Sequence, residues 1–283
     1  MNRREWLFRT GALVAAAAAR APVRADEVPY VQTPQNVVDA MLELGGVRGN
    51  DFLIDLGSGD GRIVITAAKK FGTRGLGIDY DPSLVERSTR LAREAGVAER
   101  VTFVKKDIFD TDLAPATVIT MYLLPEVNLQ LRPRLLSTLR PGTRIVSHDW
   151  DMGDWEPDGK TEVIAPDKPV GVLKQSTIYL WIIPARAEGR WRTRVPLPSG
   201  LAEVMLDIDQ QFQALSGTAR IGSRELPIER AFLRGPLVFM RFGDGDEAVR
   251  FQGHLFTDRM VGRVTTADDR NHPWRALRVK SDG

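Results

Sequence analysis

One acidic side chain and three glycines on alternate positions lie together in the first quarter of the chain: Asp55, Gly57, Gly59 and Gly61. An apolar run at 52–54 precedes them, and a pattern with helical periodicity follows. Glycine lets a ligand approach the backbone without meeting a Cβ, and a positive φ costs it nothing. Ligands bind at such strand-to-helix turns along the carboxyl edge of a parallel sheet. The spacing predicts a binding loop, although a tight turn with a purely structural role fits the same residues.

The glycine spacing also bears on which ligand the loop would hold. A dinucleotide-binding turn requires G-x-G-x-x-G, so that a pyrophosphate meets the start of the helix. Counting from Gly57, the third glycine of that pattern should stand at position 62, which is Arg62, and counting from Gly59 the pattern also fails. An oxidoreductase with a dinucleotide cofactor is therefore the weaker alternative.

Two more acidic residues follow the next two predicted strands. Asp79 stands 24 residues after Asp55, at a strand end where its carboxylate could accept both hydroxyls of a ribose. Asp107 follows the third strand, and with Ile108 it could meet the amino group and ring of an adenine. Each acid alone is typical of a solvated surface. Three of them at successive strand ends, together with the glycines, favour a nucleoside site.

The elements that must position these residues alternate between strands and helices. Such alternation indicates an α/β fold, a Rossmann-like, doubly wound, mostly parallel seven-stranded sheet. The patterns predict strands at 52–56, 75–78, 101–104, 117–122, 144–147 and 177–183 and helices at 63–71, 82–95 and 129–139.

The pattern changes after Pro184 to short alternating runs separated by turn residues. This change predicts a small antiparallel β domain of about 90 residues. We therefore divide the chain into residues 1–25, 26–186 and 187–283. Five residues are expected to form the core of the β domain, which carries no recognisable catalytic group: Phe212, Leu215, Phe239, Phe251 and Trp274.

Three sequence segments, DLGSGDG, GLGIDYDP and VKKDIF, occur in this order. In this respect residues 28–183 resemble the class I S-adenosylmethionine-dependent methyltransferases. The resemblance implies that S-adenosyl-L-methionine is the cofactor, with Asp79 on its ribose and Asp107 and Ile108 at its adenine. It also implies the residues that hold the methionine part: Asp55, Gly57, Ser58, Gly59 and Gly61.

Three further segments, PYVQTP, ITMYLLPEVNLQL and IVSHDWDMGDWEPD, narrow the resemblance. They are similar to the small mitochondrial protein-lysine methyltransferases that modify the adenine nucleotide translocase and the ATP synthase c-subunit. More distantly, they resemble histone-lysine enzymes of the Dot1 type. In that group the PYV segment folds over the cofactor, which makes Tyr30 and Thr33 candidate contacts. An anchoring role for Tyr30 fits equally well.

Methyl transfer from a sulfonium is an in-line displacement, so the protein must hold the acceptor close to the methyl group. Tyr122 is the candidate residue that shapes this site, and Glu126 or Asp149 would be the polar partner of an acceptor amine. The asparagine of Dot1-type enzymes and the Asn-Pro-Pro-Tyr of many small-molecule methyltransferases are both missing. The acceptor is expected to be a protein lysine of unknown identity. A non-catalytic cofactor-binding module with a partner-binding β domain is the alternative.

A metal site is not expected. The chain has no cysteine and three histidines, which excludes thiolate ligands and disulfides. His148 with Asp149, Asp151 and Asp154 could in principle bind a metal, but acids on a loop after a strand commonly face solvent.

The first 25 residues contain twin arginines, Arg3 and Arg4, then an apolar segment Gly11–Ala19 and small residues near Ala25. This order is typical of a twin-arginine signal peptide, so we expect use of that export machinery and a periplasmic location. The apolar segment is shorter than the about 20 residues of a membrane span. Without these 25 residues the formal net charge falls from +2 to −2, which gives no support for nucleic-acid binding.

Overall fold

The computed structural model of this protein describes residues 30–279, so the predicted signal peptide lies outside the described residues. The first part of the described chain contains four α-helices and seven strands. In chain order these are α1 (Gln35–Leu44), β1 (Phe52–Leu56), α2 (Arg62–Phe71), β2 (Arg74–Asp79), α3 (Pro82–Glu94), β3 (Val101–Lys105), β4 (Val118–Met121), α4 (Pro125–Thr138), β5 (Arg144–His148), β6 (Gly159–Ile164) and β7 (Gln175–Ile182).

Within the described chain, these seven strands form one sheet in the order β3-β2-β1-β4-β5-β7-β6. All neighbours are parallel except that β7 runs antiparallel to β5 and β6. The predicted fold class is confirmed. The strand order reverses between β1 and β4, and such a reversal leaves a crevice at the carboxyl ends of the strands.

Strand β1 shows why the helices lie on both faces of the sheet. Its successive residues Leu53 and Ile54 are both fully buried, and they belong to two different hydrophobic clusters. One cluster includes the apolar sides of α1 and α2, and the other includes that of α4. Because side chains alternate along a strand, an unbroken apolar run indicates a strand covered on both faces.

Helix α4 and strand β6 differ from the sequence analysis, and helix α1 lies ahead of the elements given there. Helix α4 begins four residues earlier than predicted, at Pro125. Proline is favourable in the first turn because an N–H group there would have no partner within the helix. Strand β6 was not predicted because its residues alternate only between half-buried and exposed. It forms an edge of the sheet, where an apolar stripe is not required.

The second part of the described chain contains nine strands, all antiparallel to their neighbours. These are β8 (Gly189–Leu197), β9 (Gly200–Gln211), β10 (Ala214–Ile221), β11 (Arg224–Pro227), β12 (Glu229–Arg234), β13 (Leu237–Phe242), β14 (Val249–Leu255), β15 (Arg259–Thr265) and β16 (Asn271–Arg278). Pairing of β9 with β10 closes eight of these strands into a barrel, and β11 pairs only with β10.

Large apolar side chains fill the barrel, including Trp191, Phe242 and Trp274. Of the five core residues predicted for this part, Leu215, Phe251 and Trp274 are buried in it. Phe239 is not, because it lies on the outer wall and stacks on Phe232 at 4.8 Å between ring centroids. Phe212 is not either, since it forms the turn between β9 and β10.

Phe212 lies against the first sheet's domain instead. Its ring stacks on Trp155 at 5.7 Å between centroids, and the guanidinium of Arg132 lies 5.3 Å from it. The neighbouring Gln213 accepts a 2.8 Å hydrogen bond from the Trp155 indole. The turn thus joins the barrel to the loop that follows β5. The boundary predicted at residues 186 and 187 lies in the connection between β7 and β8.

Candidate functional site

A cavity of about 430 Å³ opens where β1, β2 and β4 end. Such a volume suits a small-molecule ligand. The structure brings eight of the predicted site residues to its wall: Tyr30, Thr33, Asp55, Gly57, Ser58, Asp79, Ile108 and Tyr122. Residues that the sequence did not single out also line it, among them Asp60, Arg62, Tyr80, Asp81 and Lys105.

The glycine turn is held in shape by an acidic residue from the next strand. Gly57, Gly59 and Gly61 all have positive φ, at 73°, 54° and 78°. The Gly59 amide donates a 2.7 Å hydrogen bond to Asp79 Oδ2. The other oxygen of Asp79 accepts from the Asp81 amide at 3.0 Å. Asp79 therefore organises the loop as well as lining the cavity.

Asp55 is the most unusual ionisable group of the site. Its side chain is 1% exposed, and Oδ1 accepts a 2.7 Å hydrogen bond from the Thr120 hydroxyl. Oδ2 has no partner among the described residues, and the same is true of the nearby Ser58 hydroxyl. Burial raises the pKa of Asp55 to about 7, although the Thr120 hydroxyl and the nearby Ser58 hydroxyl, which lies outside hydrogen-bond geometry, oppose this shift.

These unpaired atoms test whether a cationic ligand group would fit. Buried polar atoms are nearly always hydrogen-bonded, so an unpartnered carboxylate oxygen on a cavity wall points to a ligand donor. An ammonium group placed beside Asp55 would satisfy Oδ2 and favour the ionised carboxylate. The wall thus fits the amino-acid part of S-adenosylmethionine, and the Asp79 carboxylate fits its ribose.

The N-terminal segment is fastened over the glycine turn. Arg62 donates to the backbone carbonyl of Thr33 at 2.7 Å and pairs with Asp60 at 2.7 Å. Gln32 donates to the same carboxylate at 3.1 Å. Although burial opposes ionisation, the hydrogen bonds from Arg62 and Gln32 lower the pKa of Asp60 to about 2.

The Tyr30 ring lies so close to Gly59 that a Cβ there would be 2.3 Å from it. The glycine at this position therefore makes room for the overlying segment. The third glycine of the turn has a packing role: a Cβ on Gly61 would lie 2.6 Å from the Phe103 ring. Gly59 and Gly61 contribute backbone shape, and neither lies on the cavity wall.

The third strand end is arranged differently from the prediction. Ile108 lines the cavity, but Asp107 does not. The Asp107 carboxylate accepts a 2.8 Å hydrogen bond from the Phe109 amide and caps a short 3-10 helix, Ile108–Asp110. Capping of such a helix is a common role of aspartate. Lys105 lies on the cavity wall near this point.

On the opposite side of the cavity, Tyr122 is part of a buried polar network. Its hydroxyl donates to Asp149 Oδ2 at 3.3 Å. Lys168, which is 8% exposed, pairs with the same oxygen at 2.6 Å, and Asp149 Oδ1 accepts from the Thr177 amide at 3.0 Å. Burial and the Asp149 charge raise the pKa of Tyr122 to about 12, so it is a neutral phenol at physiological pH.

The fully buried His148 packs against this network. Its ring lies 3.9 Å from the Tyr122 ring, and its nitrogens contact Ser176 at 2.8 Å and Thr33 at 3.4 Å. Burial, reinforced by the charge of Lys168, lowers the pKa of His148 to about 4 despite the nearby Asp149. The neutral imidazole is fully buried, which suits a positioning role.

The structure does not bring the two carboxylates predicted as amine partners to the cavity. Glu126 lies exposed in the first turn of α4 and does not line it. Asp149 also lies outside the wall, with both oxygens engaged. The sequence offers no signal for Lys168, which is 19 residues from Asp149 in the β6–β7 loop. Among residues 30–279, no three histidine or acidic side chains are grouped for a metal.

Comparisons with known proteins agree with this geometry. The family model of the ANTKMT methyltransferase domain matches residues 55–159. A protein-lysine N-methyltransferase of Saccharolobus islandicus is 41% identical over 157 residues, which cover 55% of this chain and 94% of that protein. The adenine nucleotide translocase lysine N-methyltransferase of Mus musculus is 31% identical over 172 residues, which cover 60% of this chain and 68% of that protein.

A solved structure is also similar to about half of this chain. An RNA methyltransferase from Salinibacter ruber in complex with S-adenosyl-L-homocysteine is 51% identical, with a TM-score of 0.51, and the match covers 55% of this chain and 95% of that one. The cofactor of this chain is therefore S-adenosylmethionine. The chain belongs to the family of ANTKMT-type S-adenosylmethionine-dependent methyltransferases, related to the lysine methyltransferases of the ATP synthase c-subunit.

Proposed function

We propose that this protein is an exported protein-lysine N-methyltransferase. Two similar proteins, from Saccharolobus islandicus and Mus musculus, are named as lysine N-methyltransferases. The observation that carries the proposal is the oriented hydroxyl of Tyr122 on the cavity wall. It lies in the part of the wall opposite Asp79 and its strand end.

The roles of the chain's own residues follow from this network. When bound, S-adenosylmethionine supplies an electrophilic methyl group on sulfur. Because the Tyr122 hydroxyl donates its hydrogen bond to Asp149, its oxygen lone pairs are free to accept a hydrogen bond from the acceptor amine. Such a bond orients the nitrogen for in-line attack. Asp149, neutralised by Lys168, holds the phenol and does not itself contact the acceptor.

RNA is the second candidate acceptor, because the similar solved structure from Salinibacter ruber is described as an RNA methyltransferase. We favour lysine because Tyr122 and its neighbours offer one neutral hydrogen-bond acceptor, which suits an amine. Both acceptors can be tested in one assay with labelled cofactor.

The test is methyl transfer from labelled cofactor to protein and to RNA, with the product identified by amino-acid and nucleoside analysis. Label in methyllysine is expected. Tyr122→Phe should reduce kcat about 10- to 100-fold, the value of one hydrogen bond to a charged or polar partner, with cofactor affinity unchanged. Tyr179→Phe is the matched control, since this tyrosine lies on β7 away from the cavity. Label confined to RNA would refute the lysine assignment.

Export rests on the twin arginines near the N-terminus, Arg3 and Arg4. Cell fractionation is expected to find the protein in the periplasm and to find an R3K/R4K variant in the cytoplasm. If the wild type and the R3K/R4K variant were both found in the cytoplasm, the export part of the proposal would be wrong and the enzymatic part would be unaffected. Among residues 30–279, no helix is long and apolar enough to cross a membrane.

A further inference from the structure

The barrel uses arginine almost exclusively as its basic residue. Residues 187–283 contain fourteen arginines and one lysine. The planar guanidinium forms paired hydrogen bonds with phosphate oxygens, which the lysine ammonium does not. The positions of these arginines on the barrel wall therefore carry information about a partner.

Five of them share one stretch of the outer wall, on three neighbouring strands. Residue pairing places Thr193 opposite Ala276 and Arg275 opposite Val261. Side chains alternate between the two faces along each strand. The arginines next to Thr193 and Ala276 and those two positions from Val261 therefore all point to solvent on one face. This arginine face consists of Arg192 and Arg194 on β8, Arg275 on β16, and Arg259 and Arg263 on β15.

Most of these guanidinium groups have no acidic partner. Within the described residues, no carboxylate lies within 4.0 Å of Arg192, Arg194, Arg263 or Arg275, and Arg259 pairs only with the adjacent Asp258. Arg192 and Arg259 both lie opposite Leu277, one on each side of β16, so their positive charges are close together without a counter-ion between them.

Other arginines of the same barrel are paired in the ordinary way. Arg220 lies 3.6 Å from Glu225, and Arg224 lies 2.8 Å from Glu247. Acids also border the arginine face, since the register places Glu203 on β9 opposite Arg194, and Asp207 pairs with Arg190 at 3.0 Å. Within the described residues, Glu203 does not come within 4.0 Å of Arg194, so the guanidinium groups of the face have no ion pair across the strands. A surface that keeps unfavourable repulsion in this manner is suited to an external anion.

Apolar side chains lie between the arginines. Val261 and Leu277 are 42% and 38% exposed, and the pairing sets Val261 beside Arg275 and Leu277 beside Arg192 and Arg259. Basic and aliphatic groups interleaved on one convex wall match the headgroup region of an anionic bilayer, which offers phosphates and acyl chains together.

A single-stranded nucleic acid fits this wall less well. Binding of that kind depends on exposed aromatic rings on which bases stack. The nearby aromatic side chain, Phe256, already has the Arg259 guanidinium 4.4 Å from its ring centre. We propose that the arginine face docks this protein on the surface of an anionic phospholipid membrane. None of its residues lines the cofactor cavity.

The experiment is co-sedimentation of the full chain with phosphatidylcholine vesicles, with and without phosphatidylglycerol. The readout is the binding that depends on phosphatidylglycerol, so any binding to neutral lipid is subtracted. An R194Q/R275Q variant should bind about 30-fold more weakly, from about 1 kcal/mol for each arginine at the surface. The matched control is R220Q/R224Q, which removes two paired barrel arginines and the same net charge; it should bind within a few-fold of the wild type.

Each other outcome would overturn the proposal. Equal weakening of both variants would show an effect of net charge, without a defined face. No preference for phosphatidylglycerol, or binding to duplex RNA that R194Q/R275Q abolishes while vesicle binding is absent, would assign the face to another partner. Circular dichroism of each variant checks folding. Because no methyl transfer is measured, the result is independent of the proposed acceptor.

Discussion

The stability of this protein should depend on pH through Asp55. In the unfolded chain this carboxyl ionises near its ordinary pKa of 3.8, but in the folded protein burial raises the pKa to about 7. Between these values the folded state holds a proton that the unfolded state has released. A rise in pH therefore favours the unfolded state, and the stability contributed by the protonated carboxyl is lost up to pH 7.

The expected size follows from the shift. At 1.36 kcal/mol for each pKa unit, the difference between 3.8 and about 7 amounts to an upper bound of about 4 kcal/mol. Between pH 5 and pH 7 alone the loss is about 2 kcal/mol, because half of the folded carboxyls are still protonated at pH 7. Asp55→Asn removes the ionisation while its amide oxygen can still accept from Thr120. The unpaired amide nitrogen costs about 1–3 kcal/mol, but this cost is the same at every pH.

The assay is urea-induced unfolding of the cofactor-free wild type and of D55N, followed by tryptophan fluorescence from pH 5 to pH 8. The difference between their free energies of unfolding should change in favour of D55N as pH rises, and become constant above pH 7. D60N is the control. The pKa of Asp60 is lowered to about 2, so its ionisation does not change in this range.

A difference between wild type and D55N that is the same at pH 5 and pH 8 would refute the assignment of a raised pKa. Cofactor binding gives an independent check. An ammonium group beside Asp55 favours the carboxylate, so binding below pH 7 should release a proton. Calorimetry in two buffers of different ionisation enthalpy measures that release, and D55N should show neither the release nor strong binding.

Three further perturbations test other parts of the site. Asp79→Asn should weaken cofactor binding about 10- to 100-fold, since it removes a charged hydrogen-bond acceptor; calorimetric titration measures this, and unchanged affinity would contradict the placement of the ribose. Lys168→Met leaves the partly buried Asp149 without its cation, so the protein should lose up to about 3 kcal/mol of stability, with Lys168→Arg restoring most of it; equal stability of all three proteins would argue against the ion pair. Phe212→Ser removes the stacking on Trp155 and should lower stability by about 1–3 kcal/mol, with protease cleavage between the domains as the readout; unaltered cleavage would show that the turn does not hold them together.

The fold class and the cofactor loop could be predicted because each depends on a local pattern. The apolar run of β1, the glycines after it and Asp79 at the next strand end are neighbours in sequence or follow strand periodicity. Parallel strands bring their carboxyl ends to the same edge, so local patterns place these residues together without further information. Six of the eight predicted residues on the cavity wall are of this kind, whereas Tyr30 and Thr33 were predicted from the family resemblance.

The side-chain directions at two strand ends were not predictable in this way. Asp107 and Glu126 have the residue type and position expected of ligands, but one caps a short helix and the other faces solvent. A carboxylate next to a cavity has competing backbone donors, and only the local backbone geometry decides which it meets.

The acceptor side and the barrel depend on contacts between distant parts of the chain. Asp149 contacts Lys168 and Tyr122, and β16 pairs with β8 about 80 residues away. No periodic pattern in the sequence indicates either contact. Phe212 is of a residue type common in cores, yet it lies in a tight turn outside the barrel and contacts Trp155. The sequence by itself determined the elements and the glycine loop, because these follow from backbone preferences and strand alternation, and the order of its motifs implied the cofactor through resemblance to a family. Tertiary structure alone decided which buried charges are paired and which faces are left for partners, because these depend on the free energy of burial in the folded chain.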